Sequence, residues 1–430
     1  MTTLTDPPAA PPRKSNEDYP LSPVPASARR SFISLAPILA GFTLYSGTLF
    51  AGGLVGPSFQ FWPNLIGLIL IGNLILGIYA ALLGYIAGNT GLTTVLMARF
   101  SFGNAGSRWV DFILGFTQIG WYAWGSALMA ELLNTLAGMP ESWNGLVILF
   151  FTYAFCSTAY FGYTAMDWLS RLAVPAMVLL MGISLSIAAR DVGGFAGLQA
   201  LAIDDPLPLS AAITIIVGTF VSGGTQATNW SRFARNGKVG FIATLIAFFL
   251  GNGFLIFSGA FCAKIYGEPD IVQVMAQQGL LVGGLVLFFL NMWTTQDNTI
   301  YAFSIAGANM FRTSKRTLFV LGGATLALFM AWGGIYAMLV NYLILLGTFI
   351  PPIGGIIMAD YWVHWRGQFP DLDTPQPAFH WPGILAYVLG SAIAYGSSQM
   401  GWGIVPINGI VSAALFYTAL SKVWPQAKTP

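Results

Sequence analysis

Twelve stretches of this chain are each long and apolar enough to cross a bilayer of about 30 Å, and that pattern leaves few folds open. They lie near 32–57, 62–87, 109–136, 144–163, 168–189, 209–231, 239–263, 279–310, 317–333, 335–360, 381–399 and 403–424. With no water in the bilayer core to satisfy backbone N–H and C=O groups, runs of this length must be helices. The chain therefore reads as an all-α polytopic membrane protein with twelve transmembrane helices. Its charge content agrees, since only 8% of residues are charged against about 25% in a soluble domain.

The basic residues test the count independently, because Lys and Arg concentrate in cytoplasmic loops. With the amino terminus inside, only Arg190 and Lys264 among the 18 Lys and Arg residues fall on the outer side. Both termini are then expected in the cytoplasm and the protein in the plasma (inner) membrane. Residues 1–28, rich in Pro, Ser and charge, read as a disordered tail with no apolar core of signal-peptide length. The transmembrane domain is expected over 29–424. Cys156 and Cys262 sit in apolar runs without metal-ligand spacing, so no disulfide or zinc framework is expected. His364 and His380 share one polar loop and are expected at the surface. A net charge of +2 gives no reason to expect nucleic acid as a partner.

Inside the spans, residues 290–298 (LNMWTTQDN) are the least lipid-like. On a helix, Asn291, Thr294, Thr295 and Asn298 share one face. An unpartnered polar group in hydrocarbon is costly, so that face must point at other helices or a wet cavity. Plain interhelical hydrogen bonding would satisfy it, and a transport site would also do so. Asp297, roughly 120° round the helix from Asn291, is the only acid read as deep within a span. In the third span Gln118 and Trp121 lie one turn apart near mid-membrane, too deep for an interfacial aromatic belt. Trp121 there either packs against neighbours or offers its face to a flat aromatic ligand.

Residues 41–47 (GFTLYSG) and 218–225 (GTFVSGGT) place glycines and hydroxyls near the middle of spans one and six. This predicts broken helices one and six, as at the midplane sites of secondary transporters; a small-residue packing face is the alternative. Gly41 and Gly218, Gln118 and Thr295, and Pro175 and Pro352 are each 177 residues apart. The common offset predicts two five-helix repeats, about 31–189 and 209–361, and an odd helix number inverts the second copy. Two peripheral helices follow over about 381–424. Residues 89–108 read as a loop whose glycines mark turns, without the Gly-Lys-Ser/Thr ending of a phosphate loop. Residues 270–277 read as a short outer-face helix. No paired acids, His cluster or activated nucleophile converges within the spans, so an enzyme is not expected. No segment outside the membrane is long enough for a sensor's output domain.

The segments 23–29 (PVPASAR), 90–103 (TGLTTVLMARFSFG), 117–121 (TQIGW), 291–298 (NMWTTQDN) and 350–355 (IPPIGG) resemble the nucleobase-cation symporter family, in its purine-cytosine permease branch. The likeness runs from about Pro23 to the last span. It implies the fold of sodium-coupled amino acid transporters and sodium-driven import of a small-molecule nucleobase, cytosine above all, by alternating access. By the same resemblance, Trp121 and Phe220 would sandwich the base. Gln118, Ser222 and Asn291 would bond its edge, with backbone near Thr219 assisting. Sodium would take the carbonyls of Gly41, Leu44 and Asn291 and the hydroxyls of Thr294 and Thr295. No cofactor beyond the coupling ion is implied. Another nucleobase, a hydroxymethylpyrimidine or a hydantoin-like ring as cargo, and proton coupling through Asp297, stay open. Two positions depart from the pattern: Asn229 stands where an acid is expected, and Thr219 where serine is expected.

Overall fold

The structure is a computed structural model that describes residue 19 and residues 21–161, 163–203, 206–313 and 315–424. Its helices are α1 (Phe32–Thr43), α2 (Ser46–Val55), α3 (Ile66–Thr90), α4 (Thr94–Phe102), α5 (Ser107–Ala137), α6 (Asn144–Phe161), α7 (Tyr163–Asp191), α8 (Gly194–Ala200), α9 (Leu209–Gln226) and α10 (Thr228–Ser231), then α11 (Gly237–Ile246), α12 (Gly253–Tyr266), α13 (Ile271–Gln277), α14 (Leu281–Met310), α15 (Arg316–Trp332), α16 (Leu339–Phe349), α17 (Pro351–Ala359), α18 (Trp381–Met400) and α19 (Val405–Val423). Helix occupies part of every stretch read as a span. Among the described residues, six continuous helical runs are long and apolar enough to cross a membrane, and the bent pair α1 and α2 makes a seventh. The two longest helices, α5 and α14 at 31 and 30 residues, are the ones with polar stretches at mid-length.

The first span is broken where its glycine and hydroxyl segment predicts. Leu44 (φ −84°, ψ 66°) and Tyr45 (φ −99°, ψ 126°) leave the helical path, and α2 resumes at 56° to α1. The sixth span behaves differently. α9 runs unbroken through Gly218, Gly223 and Gly224, and its only interruption is Ala227, beyond the glycine segment. Its hydroxyls keep the helix satisfied by bonding back to it: Thr219 donates to the Ile216 carbonyl at 2.6 Å and Thr225 to the Val221 carbonyl at 2.8 Å. The glycines serve close approach instead. A Cβ at Gly218 would lie 2.2 Å from the Leu343 carbonyl of α16.

The pair α2 and α12 uses the same device. A Cβ at Gly259 would sit 1.9 Å from the Leu49 carbonyl, and one at Gly52 would sit 2.3 Å from the Ile256 carbonyl. Backbones this close tolerate no side chain between them. Gly259→Val is therefore expected to destabilise the protein by about 1 to 3 kcal/mol through overpacking. A melt in detergent with an unchanged midpoint would show that α2 shifts without resistance.

Residues 89–108 hold more order than the loop expected there. α4 is a buried helix set between Gly91 (φ 75°) and Gly103 (φ 84°), and Thr93 caps it by accepting from the Leu96 N–H at 3.2 Å. Its first turn is tied to the end of α9 and the start of α10: the Thr94 hydroxyl donates to the Thr225 carbonyl, and the Thr94 N–H donates to Thr228 Oγ1 at 2.8 Å. Its last turn bonds Asn309 and Asp360 directly, and through them reaches α5 and α19. Arg99 donates to Asn309 Oδ1 of α14 at 2.5 Å, and Asn309 donates to Asp111 Oδ2 of α5 at 2.6 Å. Ser101 donates to Asp360 at 2.7 Å, and Tyr417 of α19 donates to the other oxygen of that carboxyl at 2.6 Å.

His380 corrects the surface expectation. The backbone of residues 377–380 pairs with the end of α4, the His380 N–H donating to the Phe102 carbonyl at 2.8 Å, so the side chain is only 4% exposed. Its Nδ1 lies 2.8 Å from the Ser101 carbonyl, and burial lowers its pKa. Of the expected tail, residues 1–18 and 20 lie outside the described residues. Nearer the first span, the Val24 N–H donates to the Gly91 carbonyl at 2.9 Å. The outer helix expected over 270–277 is α13, capped by Asp270 accepting from the Val272 N–H at 2.9 Å.

Candidate substrate site

A small cavity opens where the broken first span meets α5, α9 and α14. α5 contributes Gln118 and Trp121 to its wall, and α9 contributes Thr219, Phe220, Ser222 and Gly223. Phe42 and Tyr45 come from the first span, and Thr295 and Thr299 from α14. Room for water is only about 20 Å³, little more than the ~10–15 Å³ that one water needs. A ring therefore fits only if the aromatic walls part.

Those walls are seated by glycine. A Cβ at Gly47 would lie 2.6 Å from the Tyr45 ring, and one at Gly223 would lie 2.5 Å from the Phe220 ring. Phe220 meets Phe42 edge-on with centroids 5.0 Å apart, and Tyr45 meets Trp121 edge-on at 5.2 Å. Trp121 is also braced by Tyr342 at 5.4 Å, whose hydroxyl donates to the Thr117 carbonyl at 2.5 Å.

The polar lining is neutral throughout. Thr219, Thr295 and Thr299 each donate to a carbonyl of their own helix, at 2.6, 2.9 and 2.7 Å, which leaves their oxygens with acceptor capacity. The hydroxyls of Ser222 and Tyr45 are buried with no hydrogen-bond partner among the described residues. Gln118, 3% exposed, brings an amide with donors on one side and an acceptor on the other. Aromatic faces with neutral donors and acceptors between them suit a flat, uncharged, polar ring.

Asn291 is not among the residues that line the cavity. Its Nδ2 donates to the Leu44 carbonyl at 2.8 Å, and its Oδ1 accepts from the Ser46 hydroxyl, so the amide bridges the break in the first span. Its main-chain carbonyl accepts from Thr294 at 2.7 Å and from Thr295 at 2.9 Å. The Asn291 side chain thus ties α14 to the break at Leu44, while Thr294 and Thr295 bond back to the Asn291 carbonyl within α14; Gly41 lies three residues before Leu44 in α1. Asp297 faces elsewhere. It is fully buried and accepts from Thr158 of α6 at 3.1 Å, and Thr158 also accepts from Trp293 Nε1 at 3.2 Å. Asn229 lies in α10, off the cavity, where its carbonyl accepts from Arg232 at 3.2 Å.

Sequence reasoning missed four contributors. Phe42 and Tyr45 flank a break whose backbone path is not written in residue type, whereas Thr299, one turn beyond Thr295, was legible on the same face. The fourth, Asn252, supports Thr219 from behind. Its Nδ2 lies 3.3 Å from Thr219 Oγ1 and donates to Asn73 Oδ1 at 2.8 Å, while its Oδ1 accepts from Thr48 at 3.1 Å. Asn252 ends a π-helical segment, Ala247–Asn252, a distortion that recurs at functional sites.

Residues 23–417 match the family described as permease for cytosine/purines, uracil, thiamine, allantoin. The chain belongs to this family. The permease is 37% identical over 410 residues to the cytosine permease of Escherichia coli (strain K12), covering 95% of each chain. It is 25% identical to the allantoin permease of Bacillus subtilis (strain 168), covering 87% of this chain and 86% of that one. Its fold matches Mhp1, a nucleobase-cation-symport-1 family transporter solved in a closed conformation with bromovinylhydantoin bound, at a TM-score of 0.79 and 20% identity, covering 95% of this chain and 96% of that one. The inward-facing conformation of Mhp1 gives a TM-score of 0.81 at 19% identity, covering 98% and 95%. The permease is a multi-pass membrane transporter and not an enzyme.

Proposed function

We propose that the permease imports an uncharged nucleobase, cytosine above the others, by sodium symport with alternating access. The observation that carries this reading is the neutral, aromatic-walled cavity beside the break in the first span, which the Asn291 amide bridges. The likeness to a cytosine permease over nearly the whole chain supports the cargo. Trp121 and Phe220 stack on the base, while Gln118, Ser222 and Thr219 bond its edge. Asn291, first expected at that edge, has its amide engaged by Leu44 and Ser46, so its part belongs to the ion site. There the carbonyls of Gly41, Leu44 and Asn291 and the hydroxyl oxygens of Thr294 and Thr295 hold sodium; unwound backbone is the usual source of such ligands. The segregation of Lys and Arg supports a cytoplasmic position for both termini.

Uptake of labelled bases into proteoliposomes tests the reading. Cytosine is expected to accumulate under an inward sodium gradient. Failure of every base to accumulate would overturn it, and accumulation that follows a proton gradient alone would move the coupling ion. Gln118→Leu is expected to weaken cytosine binding about tenfold or more, since a buried polar edge left unpaired costs about 1 to 3 kcal/mol. It should also narrow the preference for cytosine over uracil, measured by competition for uptake.

A further inference from the structure

We infer that Tyr45 is a further cargo-contacting residue, and that Asn291 positions it by clamping the chain on either side. The inference deepens the nucleobase reading and rests on it. Tyr45 stands between the two residues that Asn291 holds: Leu44, through its carbonyl at 2.8 Å, and Ser46, through its hydroxyl. Both bonds come from one planar amide, so together they fix the backbone around Tyr45. Extended dihedrals at Tyr45 turn its ring off the helical path. The ring then rests on Gly47 and stands edge-on to Trp121 at 5.2 Å and to Phe220 at 6.3 Å.

Its hydroxyl is the informative atom. A buried phenol normally finds a hydrogen-bond partner. This one is buried on a residue that lines the cavity, with no partner among the described residues. A carbonyl or an unprotonated ring nitrogen on a flat cargo completes it, because the phenol O–H is a ready donor. The clamp also joins cargo to ion. The main-chain carbonyl of Asn291 accepts from Thr294 and Thr295, the hydroxyls assigned to sodium, while its side chain holds the segment that aims Tyr45. Sodium thereby acts on the cargo through Tyr45 without touching the cargo.

The test is cytosine binding to the full chain in nanodiscs, at several sodium concentrations. Tyr45→Phe keeps the ring and removes the hydroxyl. It is expected to lower cytosine affinity about tenfold, to weaken the sodium response of that affinity, and to leave the melting midpoint unchanged. Asn291→Ala is expected to lose at least as much, and the double variant no more than the worse single, because both act through one contact. Ser46→Ala removes one arm of the clamp and carries the same cycle where Asn291→Ala does not fold. Wild-type affinity in Tyr45→Phe overturns the proposal, and additive losses overturn the clamp by making Asn291 an independent reader. If the wild-type chain binds neither cytosine nor any other base, the nucleobase reading itself falls, and the proposal with it.

Discussion

Trp121→Ala is expected to reduce cytosine affinity by up to about a hundredfold, since stacking a base on an aromatic face is worth about 1 to 3 kcal/mol. The same substitution should lower the melting midpoint. The indole is 4% exposed and touches the rings of Tyr45, Trp124 and Tyr342, and removing a ring from such a place costs about 3 to 5 kcal/mol. Loss of uptake alone therefore does not separate stacking from packing. Two further measurements do. Trp121→Phe keeps a stacking face, so it should recover most of the affinity together with most of the stability. In detergent, the rise in melting midpoint on adding cytosine should be small in Trp121→Ala at concentrations that saturate the wild type, because stabilisation by a ligand scales with its occupancy. A folded Trp121→Ala protein with wild-type affinity would show that the ring only packs.

The fold was legible where polarity and length decide it, and less so where one element faces another. The spans follow from apolar length, and the break in the first span from glycines and hydroxyls at mid-membrane. The same signal in the sixth span misplaced the interruption, which falls at Ala227 beyond the glycine segment. Its glycines lie under the Phe220 ring and against the Leu343 carbonyl, and neither contact is visible until α9 is placed beside its neighbours. α4 was hidden for a similar reason. Its caps, Thr93 and the glycines at 91 and 103, are local signals, but the bonds from Thr94, Arg99 and Ser101 reach residues more than a hundred positions away. Within the site, Gln118 and Trp121 on α5 and Thr295 on α14 were readable from helical spacing. The side chain of Asn291 was not, because one polar residue on a polar face serves cargo or backbone according to what lies opposite, and the Leu44 carbonyl is exposed only by the break. His380 shows the reverse error, a polar residue in a polar loop drawn inward by main-chain pairing with α4.

Coupling is expected to respond most sharply to Thr295→Ala. Among the described residues Thr295 is the one that both lines the cavity and bonds the Asn291 carbonyl, so its loss touches the proposed ion site and the proposed cargo site together. In a coupled transporter, an ion that tightens cargo must itself be tightened by cargo, typically by about 5- to 150-fold. Thr295→Ala should flatten that dependence in both directions, so that cytosine affinity hardly changes with sodium and sodium affinity hardly changes with cytosine. A mere loss of cargo contact would lower cytosine affinity equally at every sodium concentration and leave the slope intact. Asp297→Asn provides the opposing control. The carboxyl accepts from Thr158 of α6 and lies off the cavity, so this variant should keep the sodium slope and chiefly lower the melting midpoint. Cytosine affinity measured against sodium at two pH values, in the wild type and both variants, separates the two mechanisms. An affinity that follows pH, ignores sodium and loses its pH response in Asp297→Asn would make the proton the coupling ion, acting from the α6 side of α14, and would overturn the proposed ion site at Asn291.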